Sequence, residues 1–133
     1  MAVAVAVNSP IPADPGSGLD STRTSLWVEG TLTLSGDYGG ASTHGDTMDL
    51  SGFCASDYSP KNVWIYQDPT SGVAPISYAF LYGRGTTQAN GVLIVQDMTT
   101  GLEITENSTY PSPLTNTDAP PNIRFIARFA KDV

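Results

Sequence analysis

The stretch SLWVEGTLTL, residues 25–34, separates into two sets of alternate positions with different character. One set of alternate positions is apolar apart from Gly30, and it consists of Leu26, Val28, Leu32 and Leu34. The other set consists of Trp27, Glu29, Thr31 and Thr33. A period of two indicates a β-strand with one buried face. Because Gly30 falls on the buried side, it predicts a bulge or a close crossing with another backbone.

The chain beyond this stretch also favours strands. Short apolar runs bounded by Gly, Pro, Asn or Asp predict strands at 46–50, 62–67, 76–82, 91–96, 102–105 and 122–130. The run 91–96 is apolar on both faces, so we expect it to be central. The last run alternates between an inward set, Ile123, Phe125, Ala127 and Phe129, and an outward set, Arg124, Ile126 and Arg128. About seven strands predict an all-β fold, a small antiparallel β-sandwich or barrel.

The first residues differ from the rest. Pro10, Pro12 and Pro15 disfavour a helix or an inner strand, so we expect an extended N-terminal arm over 1–23 and a β-domain over 24–133. The alternating Ala and Val residues of 2–7 could add as a strand to some other sheet. The alternative is a frayed chain end.

Composition excludes several function classes. The chain has 133 residues, with 6 basic and 13 acidic side chains and a net charge of -7. Such a chain fits one domain, and it lacks the basic stripe of a duplex-DNA-binding protein. With a single histidine and a single cysteine, it can form no internal disulfide and has few ligands for zinc, so we expect no cofactor. The apolar start lacks the basic segment of a secretory leader and is too short to span a membrane, which favours synthesis in the cytoplasm.

No residue group matches a catalytic motif. His44 has Ser42 and Asp46 nearby, but the sequences that accompany known nucleophilic triads are missing, so we expect a solvent-facing loop histidine. Asp37, Asp46 and Asp49 could bind calcium with loop carbonyls. Their spacing matches no known calcium loop, and solvated turn acids are the favoured interpretation. We therefore expect no catalytic residue, no metal site and no enzyme activity.

Two groups of side chains suggest contact surfaces. The strand aromatics could form a carbohydrate platform, although such residues more often belong to a core or an interface. They are Trp27, Trp64, Tyr66, Tyr78, Phe80 and Tyr82. Arg124 and Arg128 share the outward face of the last strand, and Arg84 lies in a turn. Isolated arginines in an acidic protein commonly pair with carboxylates within a chain or across an interface.

Two segments resemble a known family. WVEGTLTLSGDY (27–38), followed by GDTMDLS (45–51), is similar to a pattern in the head decoration, or cement, proteins of tailed bacteriophages. The strands at 78–82, 91–95 and 123–127 and the Tyr110-Pro111 turn also follow the family's general layout. The resemblance extends over most of 24–131.

The resemblance implies a structural virion protein that binds the outer shell between capsomers and stabilises it. Its partners would be the major capsid protein and neighbouring copies of itself, as a dimer or trimer, with no nucleic acid and no membrane. The residues expected to contact partners are Val3, Val5, Val7, Pro10, Pro12, Arg84, Arg124 and Arg128. The alternative functions are a receptor- or glycan-binding module of the virion surface and a tail or neck component.

Overall fold

The computed structural model describes residues 3–7, 25–39, 44–53, 56–70 and 72–131. Their strands are β1 (Val3–Val7), β2 (Ser25–Leu34), β3 (Asp46–Met48), β4 (Tyr58–Gln67), β5 (Tyr78–Gly83), β6 (Gly91–Asp97), β7 (Leu102–Glu103) and β8 (Ile123–Lys131). A one-turn helix, α1 (Ser112–Thr115), lies between β7 and β8.

The strands form two antiparallel sheets, which confirms the predicted all-β fold and shows a sandwich, one of the two predicted architectures. The first sheet has the order β1-β2-β8-β4. The second has the order β3-β6-β5, and β7 pairs with the far end of β6, on the same side as β3. As predicted, the apolar strand β6 is central in its sheet.

The core lies between the sheets, and the alternation of β2 and β8 accounts for the side of it that the first sheet supplies. The inward set predicted for β8 is buried, as are Val28, Leu32 and Leu34 of β2. From the second sheet, Met48, Phe80, Leu93 and Val95 close the other side. Alternate positions of β2 and β8 face outward, so the core also determines which side chains lie on the surface.

The N-terminal strand pairs within its own chain. β1 is antiparallel to β2, with Val3 opposite Leu34 and Val7 opposite Gly30. The sequence suggested a strand that adds to some other sheet; here it adds to the edge of the first sheet. Val3 is buried in the core. Residues 8–24, which include most of the predicted arm, lie outside the described residues.

β4 begins earlier than the sequence predicts. The expected run was 62–67, but the strand starts at Tyr58 and includes Pro60. Its pairing with β8 shifts register between Pro60 and Asn62. A proline is tolerated here because β4 is an edge strand and the shift is a β-bulge, which needs no regular ladder hydrogen bond at that residue.

Gly30 marks a close crossing, one of the two predicted possibilities. A β-carbon at this position would lie 2.1 Å from the Ala6 carbonyl oxygen and 2.7 Å from a ring carbon of Phe125. Its register with β1 and β8 is regular, so it is not a bulge.

Substitution of Gly30 should therefore destabilise the fold. We expect Gly30→Ala to lower the free energy of unfolding by about 1–3 kcal/mol, because the added methyl group overpacks a filled site. Denaturant unfolding measures the change. Thr33→Ala, on the exposed side of the same strand, is the control and should stay within about 0.5 kcal/mol of wild type. Equal stability of the two variants would contradict the close-packing account.

Candidate functional site

The outer surface of the first sheet carries a group of large side chains. We call it the indole face, and it consists of Trp27, Trp64, Tyr66, Arg124, Ile126 and Arg128. Strand alternation points these residues away from the core, and the register brings them together. Trp27 lies opposite Arg128 on the β2 side of β8, and Trp64 lies opposite Ile126 on the β4 side.

The two tryptophans stack across β8. Their ring centroids are 5.8 Å apart, and the planes differ by 5°. Trp27 is 56% exposed and Trp64 is 49% exposed, so about half of each side chain faces solvent. Offset parallel rings are a favourable aromatic geometry that contributes about 0.5–1.5 kcal/mol beyond burial. The pair is thus a preorganised apolar ridge on an open sheet.

Both arginines of the indole face have partners within the chain. The Arg124 guanidinium lies 2.9 Å from the Asp68 carboxylate. Arg128 Nε donates a hydrogen bond of 3.0 Å to Asn62 Oδ1. These contacts hold the two guanidinium groups beside the apolar ridge. Because Asn62 is neutral, its hydrogen bond positions Arg128 without cancelling the charge.

The structure divides the aromatics that the sequence grouped together. Trp27, Trp64 and Tyr66 lie on the outer side of the first sheet and are exposed. Phe80 is buried in the core from β5, where Tyr78 and Tyr82 pack against the same core. A platform on this surface could therefore use only the first three.

The residues expected to contact partners also fall into separate groups. Val3 is buried and Val5 packs against the core, so their side chains belong to the chain's own interior. Val7 lies in β1, while Pro10 and Pro12 lie outside the described residues. Arg84 is exposed just after β5. Arg124 and Arg128 belong to the indole face.

A second cluster, which the sequence did not indicate, joins the loop before β3 to the region after β6. We call it the acid cluster, and it consists of Tyr38, His44, Gly45, Glu103 and Glu106. The Tyr38 hydroxyl donates to Glu103 Oε1 at 2.6 Å and accepts the Val95 N–H at 3.1 Å. The Gly45 N–H donates to Glu106 Oε1 at 2.6 Å and to Glu103 Oε1 at 3.2 Å.

The pKa values of the two carboxyl groups of this cluster are shifted in opposite directions. Burial, followed by the neighbouring Glu103 carboxylate, raises the pKa of Glu106. Burial would also raise the pKa of Glu103, but the hydrogen bonds from Tyr38, Glu106, His44 and Gly45 outweigh it and lower that pKa. Of the two acids, Glu106 is therefore the one that takes up a proton first as the pH falls, as expected for two neighbouring acids.

The acid cluster has the donor atoms that a cation needs. One ligand atom from each of His44, Glu103 and Glu106 lies within 4.8 Å of the others. Imidazole and carboxylate together suit divalent transition metals. The same atoms also contact one another within the protein, since His44 Nδ1 lies 3.4 Å from Glu103 Oε2. Their hydrogen bonds already give them a structural role.

The acids that the sequence singled out do not gather into one site. Asp46 is only 3% exposed and accepts a hydrogen bond of 2.9 Å from the Tyr110 hydroxyl, so its expected solvation was wrong. Asp37 accepts from Thr109 Oγ1 at 3.1 Å, and Asp49 accepts the Ser51 N–H at 2.8 Å. The prediction for His44 is confirmed, since its side chain is 75% exposed.

Comparison with protein families, with curated proteins and with solved structures finds no match to this chain. Among the described residues, no helix combines the length and apolar character needed to cross a bilayer.

The acid cluster leads to a prediction of pH-dependent stability. A carboxyl whose pKa is raised by folding stabilises the fold while protonated, and this contribution is lost as the pH rises through its folded pKa. Glu106→Gln keeps an oxygen for the Gly45 N–H and removes the charge. We therefore expect a higher melting temperature than wild type at about pH 7, and a difference that shrinks toward about pH 4.

The matched variant is Glu103→Gln. A lowered pKa stabilises the fold at pH values above the unfolded pKa, so this variant should melt at a lower temperature than wild type at about pH 7. Thermal unfolding followed by circular dichroism over this pH range tests both. A decrease for Glu106→Gln at neutral pH would contradict the proposed proton distribution.

Proposed function

We propose that this chain is a structural, non-catalytic protein of a bacteriophage particle. It decorates the outer shell of an icosahedral head, binds between capsomers and stabilises the shell. The observation that carries the proposal is the exposed Trp27–Trp64 stack on the outer side of the first sheet. The resemblance of residues 27–38 and 45–51 to decoration proteins supports the same role.

The indole face has the composition of a binding hot spot. Tryptophan and arginine are enriched among residues that dominate protein–protein affinity. Each indole offers a large apolar area, and because the two rings support one another, little rotamer entropy remains to be lost on binding. A ridge of this kind on a flat sheet suits a groove or junction in another protein surface.

Charges of both signs accompany the indole face. Arg124 is paired with Asp68, Glu29 lies opposite Ile126 on the same side of the sheet, and Arg128 is held by the neutral Asn62. Charged groups around an apolar centre favour specificity for a partner with a complementary arrangement of charge. The major capsid protein is the proposed partner.

Stabilisation of a shell would follow from binding alone. A protein that binds the mature arrangement of capsomers and not its disassembled form shifts the equilibrium toward the assembled particle. Many copies on one lattice act together, so a modest affinity per copy is sufficient. No catalytic group is needed for this role.

The same two indoles favour a second candidate function, a glycan- or receptor-binding module. Sugars stack on exposed aromatic faces, and Trp27 and Trp64 are about half exposed. However, each ring turns one face to the other ring, which leaves one face of each indole for a ligand.

Particle binding separates the two candidates. Purified chain, mixed with heads that lack it, should bind in stoichiometric amounts and raise the temperature at which they release DNA. Trp27→Ala/Trp64→Ala should weaken binding about 30-fold or more, because the loss of even one hot-spot tryptophan costs about 2 kcal/mol or more and the two contributions need not add. Thr33→Ala, on the same side of β2, is the control and should bind like wild type.

Folding of the double variant is checked by circular dichroism, since the substitutions lie outside the core. Native particles that contain none of this chain would overturn the proposal, and so would full binding by the folded double variant. Glycan-array binding that depends on Trp27 and Trp64, without binding to heads, would favour the second candidate.

A further inference from the structure

The acid cluster brings three potential metal ligands together from distant parts of the chain. One donor atom from each of His44, Glu103 and Glu106 lies within 4.8 Å of the others. His44 precedes β3, Glu103 lies in β7, and Glu106 lies in the turn that follows β7. Because β3 and β7 pair with the same side of β6, the three side chains meet without a local sequence motif. The expectation of no metal site rested on the scarcity of histidine and cysteine, and two carboxylates supply the other donors here.

Two of the donors have the separation of ligands in a tetrahedral metal site. His44 Nδ1 lies 3.4 Å from Glu103 Oε2. Bonds of about 2.0–2.1 Å from zinc to nitrogen and oxygen place two ligands of a tetrahedron about 3.3–3.4 Å apart. An ion between these two atoms would therefore need little movement of either side chain. Calcium takes about six to eight oxygen ligands, whereas an imidazole nitrogen favours a transition ion.

One carboxylate oxygen of Glu106 lacks a partner within the protein. Glu106 Oε1 accepts the Gly45 N–H, whereas Oε2 is buried and has no hydrogen-bond partner among the described residues. A β-carbon at Gly39 would collide with Oε2, so the glycine leaves room for this carboxylate. A buried carboxylate oxygen without a hydrogen bond is costly. Coordination of the Glu106 carboxylate to a cation would offset this cost.

The charge of the cluster also favours a cation. Glu103 and Glu106 are close enough for each carboxyl to shift the pKa of the other, and the basic side chain beside them is the imidazole of His44. Arg124 and Lys131 form ion pairs with other acids, at 2.9 Å and 3.6 Å. Neighbouring carboxylates that are partly removed from water are normally paired with cations or coordinate metals. A divalent ion would neutralise both.

We propose that His44, Glu103 and Glu106 bind one divalent transition ion, such as Zn²⁺, with a fourth position open to water. The side chain of His44 is 75% exposed, so solvent reaches this side of the site. Three protein ligands and a water are a common arrangement for zinc. The bound ion would join the loop before β3 to β7 and stabilise the fold by linkage. The inference goes beyond the proposed function and does not depend on it, because the ion binds the free chain.

Zinc titration of the chain, prepared without a histidine tag, tests the inference. The purified protein is treated with a chelator, exchanged into buffer at about pH 7.5 and titrated calorimetrically with ZnCl₂. One ion per chain should bind, and the melting temperature should rise with zinc concentration. CaCl₂ at the same concentrations should have a much smaller effect. No binding of zinc, or an equal effect of calcium, would overturn the inference.

Ligand variants test the three residues. His44→Ala and Glu106→Gln should each weaken zinc binding about 10- to 100-fold or more, because even groups that only orient a ligand contribute that much. Glu106→Gln is expected to be more stable than wild type at neutral pH without metal, so its weaker binding would not reflect unfolding. Asp118→Asn removes one charge from an exposed loop and is the matched control, which should bind zinc like wild type. Wild-type affinity in either ligand variant would overturn the three-ligand site.

Cobalt reports the coordination directly. Co²⁺ in a four-coordinate site absorbs visible light far more strongly than hydrated Co²⁺. Wild type should show these bands, zinc should abolish them, and His44→Ala should lack them. A wild-type spectrum identical to that of hydrated Co²⁺ would contradict the proposed coordination.

Cys54 requires a control because a thiol is a strong zinc ligand and this residue lies outside the described part of the chain. Cys54→Ser should bind zinc with wild-type affinity, and loss of binding in this variant would overturn the inference. The pH series of Glu103→Gln and Glu106→Gln is measured with chelator present, so that it reports the metal-free chain. The assay contains no particles, so its outcome is separate from the test of head binding.

Discussion

Successive residues of a β-strand point to opposite sides of the sheet, and this constraint couples the core of the protein to its surface. On β8, the burial of Phe125, Ala127 and Phe129 requires Ile126 and Arg128 to face outward. Pairing with β2 and β4 then brings Trp27 and Trp64 to a stacking distance across that strand. A one-residue slip of β8 would expose the phenylalanines, so the core enforces the geometry of the indole face.

The second sheet depends on a different kind of contact where it meets its loops. Tyr38 and Tyr110 are both buried and pack edge to face, with ring centroids 5.5 Å apart. Each hydroxyl donates a hydrogen bond to a carboxylate from a distant segment. Tyr38 donates to Glu103, and Tyr110 donates to Asp46. A buried acid without a partner is costly, so these phenols allow carboxylates to lie beside the core. Tyr38 also attaches its loop to β6 by accepting the Val95 N–H, and Tyr110 attaches its segment to β3 through Asp46.

The sequence predicted those parts of the molecule that depend on local pattern. The alternation in 25–34 and 122–130 was sufficient to predict which side chains are buried, and the position of Gly30 indicated a close crossing. The acid cluster was not predictable, because Tyr38 and Glu103 are 65 residues apart and only the sheet topology brings them together. The bulge at Pro60 was missed for a related reason, since an edge position tolerates proline and the sequence alone does not reveal strand order.

Both tryptophans of the chain belong to the indole face, and none lies in the core. Intrinsic fluorescence excited in the indole band therefore reports the state of this surface more directly than the packing of the interior. Two parallel indoles at 5.8 Å are also close enough for exciton coupling in near-ultraviolet circular dichroism. Occupation of the face could thus be followed without a label, while loss of the tyrosine signals of Tyr38 and Tyr110 would report unfolding of the core.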